Sequence, residues 1–209
     1  MKDNRQILDR YKEYEDRVLV NELLEYTKAC TAGYNSRHSD FLDPRQQKIA
    51  GDILGMQKDI SFGFFGGIED SERAVCVIYD DNYEITEEDI PVIILSITWN
   101  KCSKRLAHRD FLGSILGCGI KREKVGDIIL DEDRAYVACM SDISKYLLYN
   151  LSKVGSTAVS VSETNEAQKK EEVVKIITST VASLRLDSLI TTGYGISRAK
   201  AVEIVKAAR

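Results

Sequence analysis

The sequence predicts an α+β protein with an N-terminal domain of helices and a hairpin, a central βαββαβ domain and a C-terminal helix pair. Three observations predict it. Apolar residues recur at helical spacing from Ile7 to Tyr26. Between Val92 and Val161, short β-branched runs alternate with helical stretches in the order βαββαβ. Near the end, two short amphipathic segments are punctuated by Gly193 and Ser197. The expected boundaries are residues 1–89, 90–165 and 182–209, with 166–181 as a linker or an extra strand.

In the first domain, Ile7, Leu8, Tyr11 and Tyr14, then Val18, Leu19, Leu23, Leu24 and Tyr26, keep the period of an amphipathic helix. Gly33 and the polar stretch Asn35–Asp40 interrupt it as a loop. Phe41-Leu-Asp-Pro-Arg45 then opens a second helix. Asp43 suits the N-cap, Pro44 suits the first helical position, and Ile49, Ile53 and Leu54 form the apolar stripe. Ile60–Phe65 and Ala74–Tyr79 read as the strands of a hairpin around Gly66-Gly67, and the acidic run Asp80–Asp89 reads as a connector.

In the central domain, Val92–Thr98, Val125–Leu130, Ala135–Met140 and Thr157–Val161 read as strands. His108–Cys118 and Ser141–Leu151 read as helices, with Phe111, Leu112, Ile115, Leu116 and Ile143, Leu147, Leu148 turned inward. This is the order of the split-βαβ, or ferredoxin-like, arrangement, shared by RNA-recognition motif (RRM) domains. Base-stacking aromatics are represented on strand Ala135–Met140 by Tyr136 alone, so the scaffold reads as RRM-like rather than as a standard RRM. Within it, His108–Asp127 is the densest special segment. Gly113 and Gly117 each weaken a helix by about 1 kcal/mol relative to alanine, which predicts a close backbone approach to a neighbour. Gly119 is placed to end the helix. Lys121, Arg122 and Lys124 bring three positive charges to a strand entrance, as a phosphate-binding surface would; the plainer reading is tight helix–sheet packing and a solvated loop.

Composition narrows the class. With 209 residues, 44% of them hydrophobic, the chain has the material for a sizeable core, and wholesale disorder is excluded. Its longest apolar run, Ile90–Ile97, is broken by Pro91 and Ser96 and falls far short of the roughly 20 residues that span a bilayer. The opening Met-Lys-Asp-Asn-Arg-Gln is polar, unlike a secretory signal. Five scattered cysteines without a CxxC pair read as reduced thiols packed as small hydrophobes, not as disulfides or a zinc site. A cytoplasmic protein without membrane insertion, metal or cofactor is expected.

Charge points more specifically. The net charge is −4, yet from Ala182 onward five basic residues face two acids, a net of +3, so the rest carries −7. Between Lys101 and Lys124, seven basic residues (Lys101, Lys104, Arg105, Arg109, Lys121, Arg122, Lys124) face Asp110 and Glu123, a net of +5. Phosphates respond to such local fields, not to the total.

The terminal segment carries the sharper signal. Arg185-Leu-Asp187 begins a short helix with Leu186, Leu189 and Ile190 apolar, Gly193 ends it, and Ser197 is placed to N-cap a second helix. Arg198 and Lys200 in that helix's first turns oppose its dipole, an arrangement better explained by an external anion than by helix stability. The pattern Arg-Leu-Asp, five residues, Gly, three residues, Ser-Arg, two residues, Ala, three residues, Val resembles the start of S4 domains, small modules that present basic side chains to structured RNA. An S4 domain then continues into strands, so the pair reads as an incomplete S4 module.

With Phe41–Arg45, Gly66-Gly67 followed by Glu72-Arg73-Ala74, the run His108–Asp127, and Arg185–Asp187 with Ser197-Arg198, the whole chain resembles the YlmH family of bacterial S4-domain RNA-binding proteins. The resemblance implies a ribosome-associated quality-control factor. It would contact large-subunit ribosomal RNA and transfer RNA and rescue stalled subunits carrying peptidyl-tRNA. It also implies a link to cell division, and with it division proteins as partners. On the motif match, Arg185, Arg198 and Lys200 are the principal expected RNA contacts, with Lys206 in the same helix; Arg109, Lys121, Arg122 and Lys124 follow from charge alone.

Two other readings remain beside it. The first is a protein-interaction factor at the division site, working through the acidic remainder. The second is an RNA-modifying enzyme of the pseudouridine synthase type, because Arg185-Leu-Asp187 is similar to the catalytic segment of those enzymes. Only 22 residues follow Asp187, whereas that family continues through a large sheet domain, so capping or pairing with an arginine is the preferred role for Asp187. His38 and His108 lie 70 residues apart outside any metal-ligand spacing, and no phosphate-loop glycine motif occurs. No catalytic constellation is found, and the chain is read as a non-enzyme.

Overall fold

A computed structural model describes residues 7–100, 106–131, 133–165, 176–181 and 183–207. The chain divides into two compact units, residues 1–170 and 171–209. Among the described residues the first unit contains helices α1 (Tyr14–Thr31), α2 (Pro44–Leu54), α3 (His108–Gly117) and α4 (Ser141–Asn150). Its strands are β1 (Ser36–Leu42), β2 (Ile60–Phe65), β3 (Ala74–Asp80), β4 (Val92–Trp99), β5 (Val125–Leu130), β6 (Arg134–Met140), β7 (Lys153–Val154) and β8 (Thr157–Thr164). They form two antiparallel sheets, one ordered β1-β3-β2 and one ordered β5-β6-β4-β8-β7.

Period-2 alternation sorts side chains between three cores. On the outer face of the three-stranded sheet, Leu42, Ile60, Cys76 and Ile78 meet Leu19, Val20, Leu23, Leu24, Ile49, Ile53 and Leu54 of α1 and α2. Leu95, Ile97, Val125, Val137 and Cys139 of the five-stranded sheet meet Phe111, Ile115 and Leu147 of α3 and α4. The remaining faces pack on one another: Phe41, Val75 and Val77 lie against Ile94, Tyr136, Ala138 and Met140. The result is four layers, helices outside and two sheets inside.

Local sequence explains the elements. Asp43 caps α2 in a reciprocal box: its carboxylate accepts from Gln46 N at 2.8 Å, and Gln46 Oε1 accepts from Asp43 N at 2.9 Å, with Pro44 at the first helical position. Arg45 forks onto Asp16 of α1, at 2.8 and 2.5 Å, and joins the two helices. Cys30, Cys76 and Cys139 are buried, and burial pushes the Cys76 and Cys139 thiols up to about 12, as befits inert small hydrophobes. Cys102 lies outside the described residues.

Two expectations need correction, and a third gains detail. The polar stretch expected as a loop up to Asp40 is strand β1, an edge strand that borrows its stability from pairing with β3. Tyr14 and Val18 point outward, 80% and 48% exposed, and the buried stripe of α1 runs instead through Leu19, Val20, Leu23, Leu24, Thr27 and Cys30. The acidic connector contains a 3-10 turn at Glu87–Asp89 and a hub at Asp89, whose carboxylate accepts from Ser36 Oγ at 2.6 Å, Tyr83 Oη at 2.9 Å and both Thr86 N and Oγ1 at 3.0 Å. Those bonds, the one from Ser36 first, hold the Asp89 carboxyl down to about 2.

The seam between the sheets admits no side chain at Gly126. A Cβ there would lie 2.5 Å from Phe41 Cε1 and 3.0 Å from Ala138 Cβ. Polar ties frame the same place. Asp127 accepts from Glu72 N at 2.6 Å and Arg73 N at 3.2 Å, and Arg73 donates to Val125 O at 3.2 Å and Phe41 O at 2.7 Å. Gly126→Ala should therefore cost about 1–3 kcal/mol through overpacking, measurable by urea unfolding with an unchanged m-value. Asp127→Ala should cost about 1 kcal/mol by removing two hydrogen bonds to the Glu72 and Arg73 backbone, with Asp127→Asn recovering part of the loss in the same assay.

Candidate nucleic-acid interface

A sheet with two helices on one side can leave its other side available to ligands. Here most of that side is covered. Tyr136 is 8% exposed, and Ile94, Ala138 and Met140 are buried against the three-stranded sheet. The uncovered margin runs along β8, where Ala158, Ser160 and Ser162 are exposed; Ser160 and Ser162 pair with Thr98 and Ser96 of β4. Small hydroxyl side chains offer hydrogen bonds but no stacking platform. The lone aromatic expected on this face is spent on the core.

The basic cluster of the central domain separates into two kinds of residue. Arg122 and Lys124, in the 3-10 turn Arg122–Lys124 before β5, turn inward. Arg122 donates to Val125 O, also an acceptor for Arg73, and to Gly126 O at 3.5 Å; burial first, then the nearby Arg73, lowers its pKa. Lys124 pairs with Asp40 of β1 at 2.8 Å and Asp142 of α4 at 2.9 Å, closing one corner of the two-sheet seam. Arg109, at the start of α3, and Lys121 are exposed. Lys101, Lys104 and Arg105 lie outside the described residues.

Gly113 and Gly117 do not serve internal packing. Both are exposed, and a Cβ on either would meet nothing within 4 Å. The close approach predicted from their spacing is therefore not made by the described residues. Gly119 ends α3's final turn with φ +84°, as expected. His108 is exposed at the start of α3 and lines a polar cleft of about 280 Å³ with Arg73, Arg122, Asp127, Asp70 and Glu72. With more carboxylates than cations around it, this cleft lacks the field an anion needs.

The second unit holds α5 (Leu186–Tyr194) and α6 (Arg198–Ala207). Gly193 lies inside α5; Gly195, at φ +63°, is the left-handed residue that stops it. Ser197 Oγ accepts from Lys200 N at 3.4 Å, the cap expected for α6. Asp187, 8% exposed in the first turn of α5, accepts from Arg185 Nε at 3.2 Å and from Arg198 Nε at 2.9 Å. These bonds, that from Arg198 first, lower its pKa. The arginine side chains are 71% and 66% exposed. Lys200 and Lys206 are exposed on α6, and Arg209 lies outside the described residues.

The chain is similar to known proteins in sequence and in fold. Residues 86–168 match the family described as a putative RNA-binding domain in YlmH. Over 194 residues, 92% of this chain and 75% of the relative, the sequence is 28% identical to the ribosome-associated protein quality control protein P2 of Bacillus subtilis (strain 168). The fold is similar to the solved structure of the cell division protein ylmH from Streptococcus pneumoniae, with a TM-score of 0.60 and 25% identity over 74% of this chain and 93% of that one. No helix among the described residues is long and apolar enough to cross a membrane. On these likenesses the chain resembles the YlmH proteins in sequence and in fold.

Proposed function

We propose that this chain binds the large ribosomal subunit, contacting ribosomal RNA and transfer RNA through its C-terminal helix pair, and acts in rescue of stalled peptidyl-tRNA complexes. The observation that carries the proposal is the pair of exposed guanidinium groups, Arg185 and Arg198, held on one carboxylate beside exposed Lys200. Guanidinium groups in fixed positions suit phosphate recognition, and Lys200 and Lys206 add diffuse positive field. The name of the Bacillus relative supports the ribosomal setting, and the matched RNA-binding domain supports the ligand class.

Within this reading the central domain, with strands in the ferredoxin-like order, is a scaffold whose stacking face is closed by the N-terminal sheet. Arg109 and Lys121, flanking the bare backbone of Gly113 and Gly117, form a secondary RNA contact there. Arg122 and Lys124, committed to carbonyls and carboxylates, stabilise the seam instead. The name of the Streptococcus structure supports a second reading, a protein-interaction factor at the division site.

Co-sedimentation with purified large subunits across a salt series separates the two. RNA binding should weaken steeply with salt, by roughly 0.7–0.9 in log–log slope for each phosphate contact. Replacing Arg185, Arg198 and Lys200 together with alanine should remove most of the binding and flatten the slope by about one per lost contact. No sedimentation at any salt would sink the ribosomal reading, and salt-insensitive association would favour the protein-interaction one. Arg109→Ala with Lys121→Ala should weaken binding by a smaller factor, about two- to fivefold if each contributes a surface-screened contact; no change in that assay would remove the central domain from the interface.

A further inference from the structure

Asp187 is anomalous in a surface meant for RNA. A carboxylate lowers the positive field that phosphates seek. Yet this one lies between the two principal cations, 8% exposed, while the arginines on either side are 71% and 66% exposed. Helix stability accounts for an acid in the first turn of α5. It does not account for both Oδ atoms being engaged by arginines, one preceding α5 and the other opening α6.

The geometry points to Asp187 as a positioning residue for the RNA contact: it fixes Arg185 and Arg198 through their Nε atoms and turns the Nη edges of both guanidinium groups toward a phosphate backbone. The inference rests on the RNA-binding reading above. Both hydrogen bonds run through Nε, so the Nη pair of each group lies outside the contact with Asp187. An arginine is a long, flexible side chain, and ordering it before binding removes an entropic cost otherwise met in the complex. Two guanidinium groups sharing one carboxylate still carry a net positive charge, to which Lys200 adds. Asp187 itself is fixed at the backbone, where its carbonyl accepts from Thr191 Oγ1 at 2.7 Å.

The two views of Asp187 predict opposite signs. If field alone mattered, Asp187→Asn would add a positive charge to the site and tighten binding. If position matters, the same change frees both arginines and weakens binding despite the gain in charge. We expect Asp187→Asn in the full chain to bind purified large-subunit ribosomal RNA about five- to tenfold more weakly than wild type in filter binding at fixed salt. Asp187→Glu, which keeps the charge and displaces the carboxylate, should weaken binding as well. Arg185→Ala with Arg198→Ala is the control in the same assay. If that pair binds like wild type, the RNA site itself is misassigned. If that pair loses binding while Asp187→Asn binds equally well or more tightly, the positioning role alone is overturned. Should Asp187→Asn unfold the helix pair, the wild-type protein still decides. Its Arg185 and Arg198 Nε–H signals in proton–nitrogen spectra should be protected from solvent exchange, and should stay protected when the RNA is added. Exchange at the rate of free arginine would refute the clamp.

Discussion

Phe41 lies in a space that only the absence of a side chain at Gly126 provides, and the two sheets meet around that contact. The patterning of the strands at the seam follows from this packing. Because Val75 and Val77 must face the second sheet while Cys76 and Ile78 face the helices, β3 is buried on both faces and apolar from Ala74 to Ile78. The partner strand β6 is under the same demand, and Tyr136, Ala138 and Met140 are recruited into the seam. A sheet used twice in this way has little left to offer a ligand. The stacking surface of an RNA-recognition domain and a sheet-on-sheet core are alternative uses of the same face, and here the core has taken it.

That constraint decides where chemistry can sit. The cations nearest the seam are drawn into it: Lys124 ties β1 to α4 through Asp40 and Asp142, and Arg73 and Arg122 converge on the carbonyl of Val125. Half-buried guanidinium groups need acceptors, and the carbonyls of Val125 and Gly126, at the irregular start of β5, supply them. In the second unit the relation is reversed. There the acid is buried and the arginines are exposed, so the ion pairs orient charge toward solvent instead of neutralising it in the interior.

Much of this was legible from residue order. The cap at Asp43, the hairpin Ile60–Phe65 with Ala74–Asp80 and, β7 excepted, the strands and helices between Val92 and Thr164 follow from local rules of capping and periodicity. Strand β1 was not legible, because Ser36-Arg-His-Ser-Asp40 has no strand propensity and becomes a strand only by lying beside β3. The end of α5 was misplaced by two residues because either Gly193 or Gly195 could take a left-handed φ, and sequence alone does not rank them. The Gly113–Gly117 spacing promised an internal neighbour that the fold does not supply.

The basic cluster shows why charge reading is the weakest of these inferences. Composition counts a lysine once, whatever it touches, and Lys121 and Lys124 are indistinguishable by that measure. What separates them is the tertiary position of acceptors: Asp40 and Asp142 come from elements far from Lys124 in sequence and converge on it only once β1 has paired and α4 has packed. Arg185 and Arg198 escape this ambiguity because their acceptor, Asp187, is local and belongs to the same motif. A basic residue whose counter-ion is close in sequence, and whose own side chain stays exposed, can be assigned from the motif. One whose counter-ion arrives through the fold cannot. The pairing of the second unit's arginines with Asp187 was therefore open to a reading from the motif, whereas Arg122 and Lys124 had to wait for the seam to identify them as structural.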